Sequence, residues 1–131
     1  PTTTLSSESE WLALAGEVAP HNKNILALVE LYASWCGPST AIGATLARLA
    51  DTYAGRRLRF YQMDASLSTE TQKYAETSKP HFLILRDGDL LEVIDGVNAP
   101  FIEKAVSDHI PDGMLDEEAD VNLKGGDADE N

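Results

Sequence analysis

Apolar positions along the chain fall into distinct patterns, and each predicts an element. Trp11, Leu14, Ala15 and Val18 recur at helical spacing behind a Ser7/Glu10 capping-box pair, which predicts a first helix over 7–18. The run from Ile25 to Ala33 is apolar almost throughout, interrupted by Glu30. That is the pattern of a strand covered on both faces in a mostly parallel sheet. Beyond "WCGP", Ile42, Leu46, Leu49 and Tyr53 share one helical face, predicting a second helix to about Ala54 with Gly55 as its stop. "LRFYQM" reads as another strand, and a short helix is predicted over 68–76. Pro80 then opens "HFLILR", which Asp87-Gly88 joins to "LLEVI" as a β-hairpin. Asn98 and Pro100 suit the start of a last helix that turns Ile102, Ala105, Val106 and Ile110 inward. "TTTL" adds an edge strand. The order is α/β, a mixed sheet flanked by helices on both faces, with no internal repeat.

Length and charge narrow the picture. The 131 residues fit one domain with a core that needs neither disulfide nor metal. One cysteine allows no intramolecular disulfide and favours a cytosolic-type setting. The first residues lack a basic segment followed by an apolar run, so no signal peptide is expected. The longest apolar stretch contains Glu30 and is too short to span a bilayer, so a soluble protein is expected. A net charge of -12 argues against nucleic acid and anionic membrane as partners. From Pro111 onward eight acids face one base, Lys124, so -7 of that charge sits there. A folded domain over 1–110 is therefore expected, followed by an acidic, disordered tail over 111–131 that either solubilises or docks.

Candidate chemistry centres on Cys36. The sequence places it where a buried strand ends and a helix begins, and helix N-termini stabilise anions, including the nucleophilic thiolate. The alternative is an inert buried thiol, which the neighbouring Gly37 and Pro38 argue against. Trp35 and Tyr32 flank the position. His21 and His109, with one cysteine, do not make a zinc site, and no phosphate-binding or dinucleotide glycine pattern occurs, so no cofactor is expected.

"WCGPS" resembles the active site of the thioredoxin family, whose motif is Trp-Cys-Gly-Pro-Cys. Glu30 falls where that family carries a buried acid, Pro80 where it carries a cis-proline, and Gly96 where it carries a glycine after the last strand; the resemblance covers roughly residues 5 to 110. It implies the thioredoxin fold, catalysis by Cys36, and a recognition surface formed by Trp35, Gly37, Pro38, Lys79, Pro80 and Gly96. A narrower likeness lies in "GDLLEVIDGVNAPFIEKAV", chiefly Gly96 to Pro100. This segment resembles the thioredoxin domains of cilia, both those fused to nucleoside diphosphate kinase modules and the thioredoxin-like light chains of outer-arm axonemal dynein. A single domain with a tail fits a free-standing light chain better. By that resemblance the partner is a dynein heavy chain or another outer-arm subunit, bound directly or by mixed disulfide, in the cytoplasm and the axoneme of a cilium or flagellum.

The chain departs from the family pattern at several places. Ser39 stands where the resolving cysteine belongs, and a hydroxyl cannot displace a thiolate from a disulfide. Cys36 can attack, but its mixed disulfide persists until an outside thiol arrives. Two origins fit Ser39, an engineered replacement of the resolving cysteine or a natural monothiol site, and the alternative function is a general cytosolic thioredoxin, a protein-disulfide reductase, captured as such a trap. Glu30, which in thioredoxins exchanges a proton with the resolving cysteine, is left either with that role vacant or simply protonated in the core. Lys79 and His81 replace an apolar residue and a threonine. Lys79 is read either as a cation favouring the thiolate or, like His81, as a solvent-facing residue without a role. Ala44 replaces the proline that kinks the second helix, so a straighter helix is expected.

Overall fold

The computed structural model describes residues 2–16 and 23–115. Five strands form one mixed sheet in the order β1-β3-β2-β4-β5. In chain order the elements are β1 (Thr2–Leu5), α1 (Glu8–Leu12), β2 (Leu26–Tyr32), α2 (Gly43–Thr52), β3 (Leu58–Asp64), β4 (His81–Arg86), β5 (Asp89–Asp95) and α3 (Ala99–His109). The strand expected in "TTTL" is β1, parallel to β3 at one edge. Strand β2 lies parallel to β3 and antiparallel to β4. It is central, and its unbroken apolar run follows from burial on both faces.

Alternation along β2 sorts the core into two layers. Ala27, Val29 and Leu31 pack with Trp11, Leu14, Leu83 and Leu85 on one face. Leu26 and Leu28 pack with Leu49, Phe82, Ile102 and Val106 beneath α2 and α3 on the other. The last helix begins as expected, with Asn98 Oδ1 accepting the Phe101 N–H at 3.2 Å and Pro100 in its first turn.

Three predicted elements differ. The first helix ends at Leu12 because Gly16, at φ +103, turns the backbone away and donates its N–H to the Gly88 carbonyl at 2.8 Å; Val18 lies outside the described residues. Ser7 Oγ accepts the Glu10 N–H at 3.2 Å, but the Glu10 carboxylate returns to Ser6 N rather than to Ser7. The helix expected over 68–76 is instead a pair of 3₁₀ turns, Ala65–Leu67 and Gln72–Tyr74. Side chains here capture the backbone groups that a helix needs. Thr69 N donates to Glu8 Oε2 and Glu70 N to Ser68 Oγ, both at 3.3 Å, and the Thr71 hydroxyl donates to the Ser68 carbonyl at 3.2 Å. Finally, α2 starts at Gly43, not directly after "WCGP". No side chain caps it, and residues 34–42 form turns instead.

At the other end of the domain, Pro111 to Leu115 fold back onto the start of β3. Arg56 donates to the carbonyls of Pro111 and Gly113, both at 3.1 Å, and Leu115 N donates to the Gly55 carbonyl at 2.7 Å. The rest of the acidic segment expected to be disordered lies outside the described residues.

Candidate functional site

The residues singled out in the sequence gather at one end of the sheet. There β2 ends and leads into the Cys36 turn, β4 begins after Pro80, and β5 ends before Gly96. The turn is built on Ala33, whose carbonyl accepts the N–H groups of Cys36 at 2.9 Å and Gly37 at 3.0 Å. Cys36 is a free, exposed thiol. The expectation that it opens a helix is not met: six residues separate it from Gly43, where α2 starts, and its own N–H is already spent on the turn. Trp35, 67% exposed, stands beside it and presents an indole to solvent rather than to the core. Gly37, at φ +73, lets the chain reverse before Pro38, which is exposed.

Below this turn lies Glu30. It is 5% exposed, on the α2–α3 side of β2, and its Oε2 accepts the Ser39 N–H at 2.7 Å. Burial pushes the Glu30 carboxyl above its ordinary value, and the Ser39 N–H pulls it partly back. The Ser39 hydroxyl in turn accepts the Ala41 N–H at 3.2 Å. Position 39 is thus held by both its backbone and its side chain. Tyr32, half-buried at the end of β2, has its phenol raised by desolvation and then by the charges of Asp64 and Glu30.

The second group is tied together on the hairpin side. Gly96 N donates to the Pro80 carbonyl at 2.7 Å, joining the end of β5 to the start of β4. Gly96 has φ +75, and a Cβ there would lie 3.3 Å from Lys79 Cδ, so the lysine stem rests on the glycine. Lys79 is exposed, as one reading had it, and its charge is felt by His81. The Lys79–Pro80 peptide is trans, not cis as the resemblance implied; trans is the ordinary isomer even before proline.

His81 is not solvent-facing either. Pairing opposite Leu31 and sharing a face with Leu83 and Leu85, it is 8% exposed. The period-two alternation of "HFLIL" was the signal for this, since His81 occupies the same phase as two core leucines. Its ring lies 4.7 Å from that of Tyr74, its Nε2 is 3.5 Å from Asp95 Oδ1, and its Nδ1 is buried with no hydrogen-bond partner among the described residues. Desolvation lowers the His81 pKa, Asp95 opposes this, and Lys79 adds to it. His109 pairs with Glu92 at 2.7 Å, and His21 lies outside the described residues. No group of three or more potential metal ligands occurs among the described residues, and no described helix is long and apolar enough to cross a membrane.

Comparison with known proteins agrees with this geometry. The thioredoxin family model matches residues 14–108. The chain is 31% identical over 106 residues to the 14 kDa light chain of flagellar outer-arm dynein from Chlamydomonas reinhardtii, covering 81% of this chain and 79% of that one. It is 25% identical over 83 residues to a thioredoxin from Malassezia sympodialis, covering 63% and 79% of the two chains. Among solved structures, Fasciola hepatica thioredoxin superposes with a TM-score of 0.63 at 25% identity, over 82% of this chain and 99% of that one. With the five-stranded mixed sheet, the Trp-Cys-Gly-Pro turn and the buried Glu30 in place, the chain belongs to the thioredoxin family.

Proposed function

We propose that this chain is a light chain of axonemal outer-arm dynein that engages thiols or disulfides of a partner subunit through Cys36, with catalytic turnover disabled by Ser39. The observation that carries the reading is the exposed Cys36 thiol three residues ahead of a serine whose N–H is fixed on a buried acid. The Cys36 thiolate attacks one sulfur of a partner disulfide, a new bond joins it to that sulfur, and the other partner sulfur leaves as thiolate. The reverse attack from within the site needs a second thiol, and Ser39 has none to offer. Trp35, Gly37 and Pro38 on one side, with Lys79, Pro80 and Gly96 on the other, serve as the recognition surface. The likeness to the flagellar light chain supports a heavy chain or another outer-arm subunit as the partner and the axoneme as the location. The likeness to the Malassezia thioredoxin supports a second reading, a general protein-disulfide reductase held as a trap by Ser39.

The test is capture from an axonemal extract by this chain and by Cys36→Ala, eluting first with salt and then with reductant. Outer-arm subunits released only by reductant, and absent from the variant, are expected. Identical captures from both would remove the thiol from the proposal, and failure to retain any outer-arm subunit would remove dynein. Under the second reading, Ser39→Cys gains insulin-reducing turnover, and the reductant eluate holds general thioredoxin substrates instead.

A further inference from the structure

The edge of the sheet at β5 is open among the described residues, and it is unusually apolar for an open edge. Leu90, Leu91 and Val93 are 50%, 39% and 39% exposed. A bulge between Ile84 and Leu85 makes Leu91 the extra residue, so Leu90 opposite Leu85 and Val93 opposite Leu83 fall on the same face. That face continues into a groove of about 260 Å³ lined by Trp11, Ala15, Tyr74, Leu83, Leu85 and Leu90. Among the described residues this layer is thinly covered, since α1 stops at Leu12 and 3₁₀ turns replace a helix over 68–76.

Charge selects the occupant. Asp89, which lines the groove with Glu70 and Lys73, and Asp95, 3.5 Å from His81 Nε2, stand at the two ends of β5, both exposed, roughly 20 Å apart at ~3.3 Å per strand residue. Glu92, between them, is engaged by His109 on the other face. A second copy is a poor partner: full antiparallel overlap of two β5 strands sets Asp89 against Asp95 and Glu92 against Glu92, with -12 on each chain. The same carboxylates repel this chain's own acidic segment. We infer that β5 accepts an extended segment of a partner protein as a sixth strand, about seven residues long, with Lys or Arg at both ends and apolar residues between that fill the groove. The ladder of main-chain hydrogen bonds supplies affinity, and the two terminal cations set register against Asp89 and Asp95. This surface is separate from the thiol and does not rest on its chemistry.

The test uses the full ¹⁵N-labelled chain in reductant, titrated with a blocked heptapeptide carrying lysine at each end and valine alternating with threonine between. Saturable shifts and slowed amide exchange along β5 are expected, with at least tenfold weaker binding of the same peptide ended by glutamate. The double variant Asp89→Lys/Asp95→Lys should reverse that preference. Equal binding of the two peptides, shifts confined to residues 116–131, or no saturation at millimolar peptide would each overturn the inference.

Discussion

Replacing Glu30 by Gln separates the burial of this acid from its hydrogen bond. In the wild-type chain the 2.7 Å contact to Ser39 N favours the charged form, while desolvation disfavours it more strongly. The folded-state pKa therefore lies above the unfolded value. Protonated Glu30 is fully accommodated below about pH 4.5, and stability is lost as pH rises through the folded pKa, by about 1.4 kcal/mol for each unit separating the two. A glutamine keeps a carbonyl oxygen for Ser39 N and never ionises. Exchanging a charged acceptor for a neutral one weakens that bond, and the upward direction of the shift places this loss below the relieved desolvation. Glu30→Gln is thus expected to match wild type within about 0.5 kcal/mol at pH 4 and to be the more stable of the two at pH 8. Glu30→Ala removes the acceptor and costs about 1–3 kcal/mol at pH 4 and less at pH 8, where the wild type has lost the same linkage contribution. Urea unfolding of the three proteins at the two pH values reads this directly. A Gln variant that loses stability at pH 8 but not at pH 4 would refute the reasoning and show that Glu30 is ionised and well paired.

Three further outcomes are expected. His81 is held neutral by burial, so its contribution is present above pH 6.5 and lost as pH falls through its lowered folded pKa; thermal melts between pH 7.5 and 5 should lose that slope in His81→Phe, and an unchanged slope would place the titration elsewhere. Arg56→Ala removes two bonds to the carbonyls of Pro111 and Gly113 and should cost about 1–2 kcal/mol, with limited proteolysis moving its first cut upstream of Met114; an unchanged first cut would mean that Leu115 N on the Gly55 carbonyl suffices to hold the segment. Trp11→Phe deletes the indole N–H that Glu70 Oε1 accepts at 2.7 Å, one of the links between α1 and the 3₁₀ segment beside Glu8 with Ser68 and Thr69, and should cost about 1 kcal/mol by denaturant midpoint; a loss above 3 kcal/mol would show that packing, not this bond, is decisive.

The central strand, the hairpin and the last helix were legible in the sequence because their signals are local and agree with the tertiary result. Asp87 and Gly88 both have positive φ, as the short turn between β4 and β5 requires. The elements that departed did so where side chains compete with the backbone ladder or where a cap is missing. Glu8, Ser68 and Thr71 use the hydrogen-bonding groups of a would-be helix, and α2 lacks a side-chain cap that could have started it nearer Cys36. At the candidate site, the pairing of Glu30 with Ser39 and of Pro80 with Gly96 put motif residues into contact. The burial of His81 was readable from strand phase, which it shares with Leu83 and Leu85, although the polarity of its ring points the other way.

The two edges of the sheet differ in how the chain must travel to build them. Strand β5 forms from β4 across a tight turn, a short-range closure of the microsecond class. Strand β1 joins only when Thr2 to Leu5 meet Phe60 to Met63, which closes a loop of more than fifty residues before any contact repays the entropy. The hairpin edge is therefore an early and persistent feature of the folding landscape, whereas the β1 edge is last to arrive and first to fray. Amide exchange in β1 should outpace that in β4, and transient opening at Thr2 to Leu5 unmasks the edge of β3, adding a second, intermittent site of misassembly to the standing one at β5.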